Sequence, residues 1–116
     1  MQRELLKSKL HRVRVTETDL AYEGSLTLDP ALLEAADIAP YEKVQVVNVT
    51  NGERLVTYAI EGEPGEGEAC LNGAAARLGE VGDVVIVLSF GFYDAGDEHD
   101  PRIVHVNDDN AVTDIE

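Results

Sequence analysis

KVQVVNVTNGERLVTYAI, residues 43–60, is the stretch that decides the fold. Val44 to Val49 and Leu55 to Ile60 are rich in β-branched residues, with Asn51-Gly52 between them. An Asn-Gly pair joining two such runs predicts a β-hairpin on a type I′ turn, whose two central residues need positive φ. On the second strand Arg54, Val56 and Tyr58 share one face, while Leu55, Thr57 and Ala59 share the other. Upstream, Lys9, His11, Val13 and Val15 fall on one face of an extended segment, opposite Leu10, Arg12 and Arg14. Tyr22-Glu23-Gly24-Ser25 interrupts, and Leu26 and Leu28 resume the alternation. Asp29 as N-cap with Pro30 at the first helical position predicts a helix through Ala31, Leu32, Leu33, Ala35 and Ala36, ended by Pro40.

Downstream, Gly62 to Gly67 is a loop, and Asn72-Gly73-Ala74-Ala75-Ala76 reads as a short helix or a turn. Val84 to Leu88 reads as a buried strand by its β-branched content. Asp94 to Asp100 reads as a surface loop, and Ile103 to Val106 and Ala111 to Ile115 as short strands around a turn at Asn107 to Asn110. With no internal repeat and no domain boundary, residues 1–116 are expected to form one domain. Many short strands with one or two short helices predict a compact β-barrel.

A chain of 116 residues can hide roughly 65% of its unfolded surface, so one core is feasible without disulfides. Cys70 is the only cysteine, which fits a reducing cytoplasm. With His11, His99 and His105 it makes a scattered set that does not suggest a metal site. The longest apolar run, Val84 to Leu88, falls far short of the roughly 20 residues that span a bilayer, and charges run through the only candidate leader segment, so neither membrane nor secretion is expected. The net charge is −14. Residues 1–60 carry −2 and residues 61–116 carry −12, while five of the nine cations lie within the first fourteen residues. Such a balance disfavours nucleic acid as a partner. Most of the C-terminal acids read as a solvated face, and the excess suggests adaptation to a salty cytoplasm.

Three clusters could carry chemistry. Gly24-Ser25 is an ordinary turn pair, yet a serine after glycine is also suited to backbone rearrangement. Its hydroxyl can attack the preceding carbonyl if the turn strains that peptide, and elimination then leads through dehydroalanine to a pyruvoyl group. Around Asn51 to Tyr58, Arg54 and Tyr58 could be cross-strand packing. They also pair a guanidinium that matches a carboxylate with a phenol able to donate a proton. Asn72-Gly73-Ala74-Ala75 permits close backbone approach to a ligand, or simply tight packing.

Taken in order and spacing over residues 9–88, these clusters resemble the pyruvoyl-dependent aspartate 1-decarboxylase family. The residues behind the resemblance are Lys9-Leu10-His11-Arg12, Tyr22-Glu23-Gly24-Ser25, Asn48-Val49-Thr50-Asn51-Gly52, Arg54, Thr57-Tyr58-Ala59, Asn72-Gly73-Ala74-Ala75-Ala76 and Val81-Gly82-Asp83. The resemblance implies a mainly β fold, a six-stranded double-psi β-barrel with one or two short helices, assembled as a homotetramer with each site between subunits. It implies self-cleavage between Gly24 and Ser25 into chains 1–24 and 25–116, with Thr57 assisting. Ser25 becomes a covalent pyruvoyl group that forms a Schiff base with L-aspartate and yields β-alanine and carbon dioxide for pantothenate synthesis. Tyr58 matches the proton donor, Lys9 and Arg54 the carboxylate-holding cations, and Gly73, Ala74 and Ala75 a backbone substrate contact. Thr57, His11 and Asn72 match further pocket positions, and no metal is implied. Val47 stands where some relatives place an aromatic residue, which suggests a looser pocket wall. A maturation factor is a further partner that such processing allows.

Lys9 and Arg54 would also offset the repulsion between a −14 chain and a dianionic substrate. A competing reading keeps Ser25 intact in a non-catalytic barrel that serves as a binding or assembly module. An acidic nucleic-acid mimic explains the charge but not the spacing of Ser25, Arg54 and Tyr58. A Ser-His-Asp hydrolase lacks a Gly-x-Ser-x-Gly elbow.

Overall fold

The computed structural model describes residues 1–116. Nine strands alternate with two short helices: β1 Gln2–Arg14, β2 Glu17–Asp19, β3 Ser25–Leu28, α1 Pro30–Ala36, β4 Lys43–Asn48, β5 Arg54–Glu61, β6 Ala69–Asn72, a 3₁₀ helix Gly73–Leu78, β7 Val84–Asp94, β8 Arg102–Val106 and β9 Val112–Ile115. The strands join in the single hydrogen-bonded order β2-β6-β3-β5-β4-β7-β1-β8-β9. Pairs β1–β8, β2–β6 and β3–β5 are parallel and the others antiparallel. The fold is mainly β, as expected. The strand count exceeds six because it includes ladders of three or four residues, such as β2 and β9, too short for hydrophobic alternation to mark.

One face of this sheet supplies the core. Leu10, Val13, Val44, Val46, Val85, Val87 and Val104 are fully buried, together with Leu26, Leu28, Leu32 and Leu71. Each such side chain contributes about 1.5–3 kcal/mol by leaving water. Leu10 and Val13 share that face, contrary to the simple alternation that set them on opposite sides. A β-bulge is the reason: Leu10 pairs with Val87 and Val13 with Val85, so β1 carries one extra residue there. Arg12, exposed and without a partner on β7, lies in the bulge and takes φ +68°, which resets the phase of the strand. Val84 to Leu88 likewise proves to be the start of a longer strand in which Val85, Val87 and Ser89 are buried and alternate residues are not.

Helix α1 starts as the sequence predicts. The Asp29 carboxylate accepts from Ala31 N at 2.9 Å, and its other oxygen accepts from Gly67 N at 2.8 Å, which fastens the 62–67 loop. Its end differs from expectation. Asp37 adopts the left-handed conformation (φ 54°, ψ 45°) and Ile38 N donates to Leu33 O at 2.9 Å, so the helix is closed before Pro40 is reached.

The β4–β5 hairpin forms with Val47 opposite Arg54 and Lys43 opposite Tyr58. Its connection is not the expected type I′ turn, because Gly52 has positive φ (81°) and Asn51 does not. Buried Asn48 shapes it instead. Asn48 Oδ1 accepts from Thr50 N and Asn51 N at 2.9 and 3.3 Å, and Gly52 N donates to Asn48 O at 2.8 Å. Asn48 Nδ2 donates to Leu78 O and to Asp83 Oδ2, tying the hairpin to the end of the 3₁₀ helix. No helix is long and apolar enough to cross a membrane.

Candidate active site

Ser25 opens β3 directly after the turn that ends at Gly24, and it is fully buried. Its hydroxyl donates to Glu23 O at 3.0 Å and accepts from Asn72 Nδ2 at 2.9 Å. Antiparallel pairing sets Ser25 opposite Asn72 and Thr27 opposite Cys70, so all four side chains project from the same face of β3 and β6. Asn72 Nδ2 also donates to Thr27 Oγ1 at 2.8 Å, and the Cys70 thiol donates to Asn72 Oδ1 at 3.1 Å. Burial pushes the Cys70 thiol up to about 11, with Glu17, Glu68 and Asp19 adding to the shift.

Gly73 follows Asn72 with φ +62° and opens the 3₁₀ helix. A Cβ there would stand 2.7 Å from both N and Cα of Gly24 and 2.9 Å from Tyr22 O. Glycine is therefore required for the Asn72–Gly73 segment to lie against the Gly24–Ser25 peptide. On the other flank β3 runs parallel to β5 with Leu26 opposite Ala59, a register that brings Gly24 level with Thr57. Gly24, Thr57 and Tyr58 then share a cleft of about 380 Å³ with Leu55, Val56, Ala74, Ala75 and Leu78. Mostly apolar walls around one glycine peptide, a hydroxyl and a phenol make a site where charge development depends on the few polar groups present. Tyr58 also borders a second cleft of about 330 Å³ with Tyr22, Glu23 and Tyr41.

Lys9, His11 and Arg54 are not among the residues lining either cleft. Lys9 pairs with Leu88, which pairs with Gln45, which pairs with Val56. That row puts Lys9 three strands from β5, about 14 Å at the usual strand spacing. Lys9, Val47 and Arg54 occupy the sheet face turned away from the core, and neither Lys9 nor Arg54 makes an ion pair. The same face exposes Val56, Phe90 and Phe92. His11 lies beside His105, with ring centroids 5.5 Å apart at 72°, and its buried Nδ1 has no partner. Its pKa is lowered from 6.5, first by burial and then by His105, Lys9 and Arg12, against a smaller opposing effect of Glu116. Potential metal ligands come within 4.8 Å in two trios, Glu17-Glu68-Cys70 and His105-Asp114-Glu116. In the first the thiol is protonated and engaged with Asn72, and in the second both carboxylates are exposed.

A family model described as aspartate decarboxylase matches residues 1–113. The chain belongs to this family. Among its relatives, the aspartate 1-decarboxylase of Salinibacter ruber is 57% identical over 97% of this chain and 79% of its own length. That of Haloquadratum walsbyi is 56% identical over all of both chains, and that of Syntrophobacter fumaroxidans is 54% identical over 95% of this chain and 90% of its own. Within this aspartate decarboxylase family member, one chain brings together Gly24, Ser25, Thr57, Tyr58, Asn72, Gly73, Ala74 and Ala75. Thr27 and Cys70 join them without any sequence signal, because their part depends on the β3–β6 register, which four buried residues in a row on β6 do not announce.

Proposed function

We propose that the chain is an aspartate 1-decarboxylase that matures by cleaving itself between Gly24 and Ser25. The contact of Gly73 with the Gly24 backbone, beside a buried Ser25 hydroxyl held by Asn72, is the observation that carries this reading. Ser25 Oγ attacks the Gly24 carbonyl carbon; the Gly24–Ser25 C–N bond breaks, an ester forms, and the hydroxyl proton goes to the freed nitrogen. Loss of the Ser25 α-proton then breaks the Cβ–O bond and releases Gly24 as a carboxylate. Water converts the remaining dehydroalanine to a pyruvoyl group and ammonia, so each maturation consumes one water. Asn72 N–H stabilises the Ser25 oxygen as its proton departs, and Thr57, level with Gly24, lies where a hydroxyl can assist at the carbonyl, whose oxygen takes up the negative charge of the attack.

The residues around Ser25 fit the pyruvoyl group: the small Gly24, Ala74 and Ala75 border a cleft next to residue 25, and Asn72 offers it an N–H donor. That group supplies an electrophilic ketone for the substrate amine and an acceptor for the electron pair left when carbon dioxide departs. Lys9 and Arg54 hold the carboxylates of L-aspartate, and the Tyr58 phenol delivers its proton to the carbon that carried the departing carboxylate. His11 and Asn72 border the substrate, and the Gly73–Ala75 backbone binds it. The product is β-alanine, for pantothenate synthesis.

Lys9 and Arg54 stand outside the Ser25 cleft, on a face with exposed Val56, Phe90 and Phe92. This supports a homotetramer in which a neighbouring copy's cationic face completes each site. We read the enzyme as cytoplasmic, with neither nucleic acid nor membrane as a partner and with room for a maturation factor. The alternative, an uncut barrel serving as a binding module, leaves the Gly73–Gly24 contact without a task. An intact-mass spectrum of the purified protein tests the reading. The expected result is chain 1–24 plus a chain beginning at residue 25 that is lighter than a serine start by one ammonia. One uncut mass that persists on warming and with added cell extract overturns it.

A further inference from the structure

We propose that Cys70 and Thr27 are positioning residues for the self-cleavage, locking the Asn72 amide with its nitrogen, rather than its oxygen, toward Ser25. The proposal rests on the maturation reading above and assigns a task to two residues outside the motif. An asparagine amide has two ends of almost the same shape and opposite hydrogen-bonding character. With Nδ2 toward Ser25, the serine oxygen receives an N–H and its own proton is directed at Glu23 O. Negative charge left on Oγ as its proton departs then meets a donor, before the attack passes that charge to the carbonyl oxygen. With the amide reversed, Oδ1 would face Oγ, capture the hydroxyl proton and repel that charge.

The neighbours on the same face select between these states. Thr27 Oγ1 accepts the second N–H of Asn72 at 2.8 Å, while the Cys70 thiol donates to Oδ1 at 3.1 Å. Reversal would set an N–H against the thiol, a poor acceptor, and would oblige the Thr27 hydroxyl to turn and donate, so the Cys70 contact selects the orientation and Thr27 holds the second N–H within it. Ser25, Cys70 and Asn72 are each at most 3% exposed, so water cannot replace a lost partner at little cost. The thiol keeps its proton because burial and the nearby Glu17, Glu68 and Asp19 hold its pKa near 11, and it therefore remains a donor. Both positions are addressed by register alone, Thr27 opposite Cys70 and Ser25 opposite Asn72.

Cleavage rates measured by intact mass on freshly made Cys70→Val, Cys70→Ser and Thr27→Val chains test this, with thermal melts to confirm folding. Cys70→Val keeps bulk and loses the donor, and is expected to slow cleavage about tenfold or more, the worth of one buried hydrogen bond. Cys70→Ser keeps a donor in less volume and is expected to cut within a few-fold of the parent. A packing role predicts the reverse order, so normal cutting by Cys70→Val with slow cutting by Cys70→Ser overturns the proposal. Thr27→Val, nearly the same shape, is expected to slow cleavage as well; cutting at the parental rate overturns the proposal even if Cys70→Val does not fold. A parent chain that never cuts removes the maturation reading and this one together, whereas a cutting parent with equally fast Cys70→Val and Thr27→Val chains removes this one alone.

Discussion

Gly73 rests on the backbone of Gly24, so closely that a Cβ at residue 73 would stand 2.7 Å from Gly24 N and Cα. Gly73 also has φ +62°, where a side chain adds strain. Gly73→Ala is therefore expected to lose more than about 2 kcal/mol of stability, since backbone atoms cannot yield as a flexible side chain can. Its chain should remain uncut at Gly24–Ser25. Denaturant melts and intact mass check both, and a stable, fully cut variant would remove the contact from any role in maturation.

Tyr58 reaches the Gly24 cleft from β5, beside Thr57. Tyr58→Phe keeps the ring and its neighbour Tyr41 at 6.4 Å between centroids, so cleavage and melting temperature should stay close to the parent. Turnover of L-aspartate should fall about a hundredfold or more, the usual worth of a positioned proton donor. Carbon dioxide release per cleaved chain measures it. Undiminished release would take Tyr58 out of the proton-donor role.

How much of this was legible beforehand follows from how local each signal is. The Asp29-Pro30 start of α1 and the β4–β5 hairpin are written in adjacent residues, and both form. The end of α1 is not, because Asp37 takes a left-handed conformation that glycine would have advertised and aspartate does not. The phase of β1 escapes for a related reason: the bulge near Arg12 is visible only in the pairing with β7. In the site, Gly24-Ser25 and Thr57-Tyr58 stand out through their resemblance to a family. The separation of Lys9 and Arg54 from Ser25 within one chain comes from strand order, to which spacing along the sequence is blind.

The bulge itself makes a testable claim about Arg12. An exposed residue at φ +68° gives up backbone strain that glycine would not carry. Arg12→Gly is expected to match the parent or gain up to about 1 kcal/mol, and Arg12→Val to lose about 1–2 kcal/mol, since β-branching disfavours positive φ. Thermal melts of the two variants decide it. If valine is tolerated as well as glycine, the bulge does not hold Arg12 in that conformation.

His11 ties stability to pH. Its folded pKa lies below 6.5, first through burial, then through His105, Lys9 and Arg12, with Glu116 opposing. Below pH 6.5 the unfolded chain therefore binds a proton at His11 more readily than the folded chain. Stability from this source is intact above the unfolded value, falls as the pH drops through it, and reaches its full loss below the folded value. Melting temperatures between about pH 7.5 and about pH 5.5 should decline less steeply in His11→Gln than in the parent. Parallel declines would show that His11 does not carry the effect.

Charge sets a last expectation. The net of −14 is offset by few contacts: the ion pairs of Lys and Arg are Lys7–Glu42 at 2.8 Å and Arg14–Asp108 at 3.4 Å. Most carboxylates therefore repel one another across the surface without a cation between them, which disfavours the compact state. Raising the salt from about 0.1 M to about 1 M shortens the screening length from about 10 Å to about 3 Å. Repulsion between acids farther apart than that is removed, while the exposed Arg14–Asp108 pair has little to lose and the partly buried Lys7–Glu42 pair is screened less. The melting temperature should rise by about 5 °C, the equivalent of roughly 1 kcal/mol for a domain of this size. Potassium chloride suits the test because it screens without strongly ordering water. A melting temperature that stays flat across that range would mean that the acidic surface does not destabilise the folded chain at low salt.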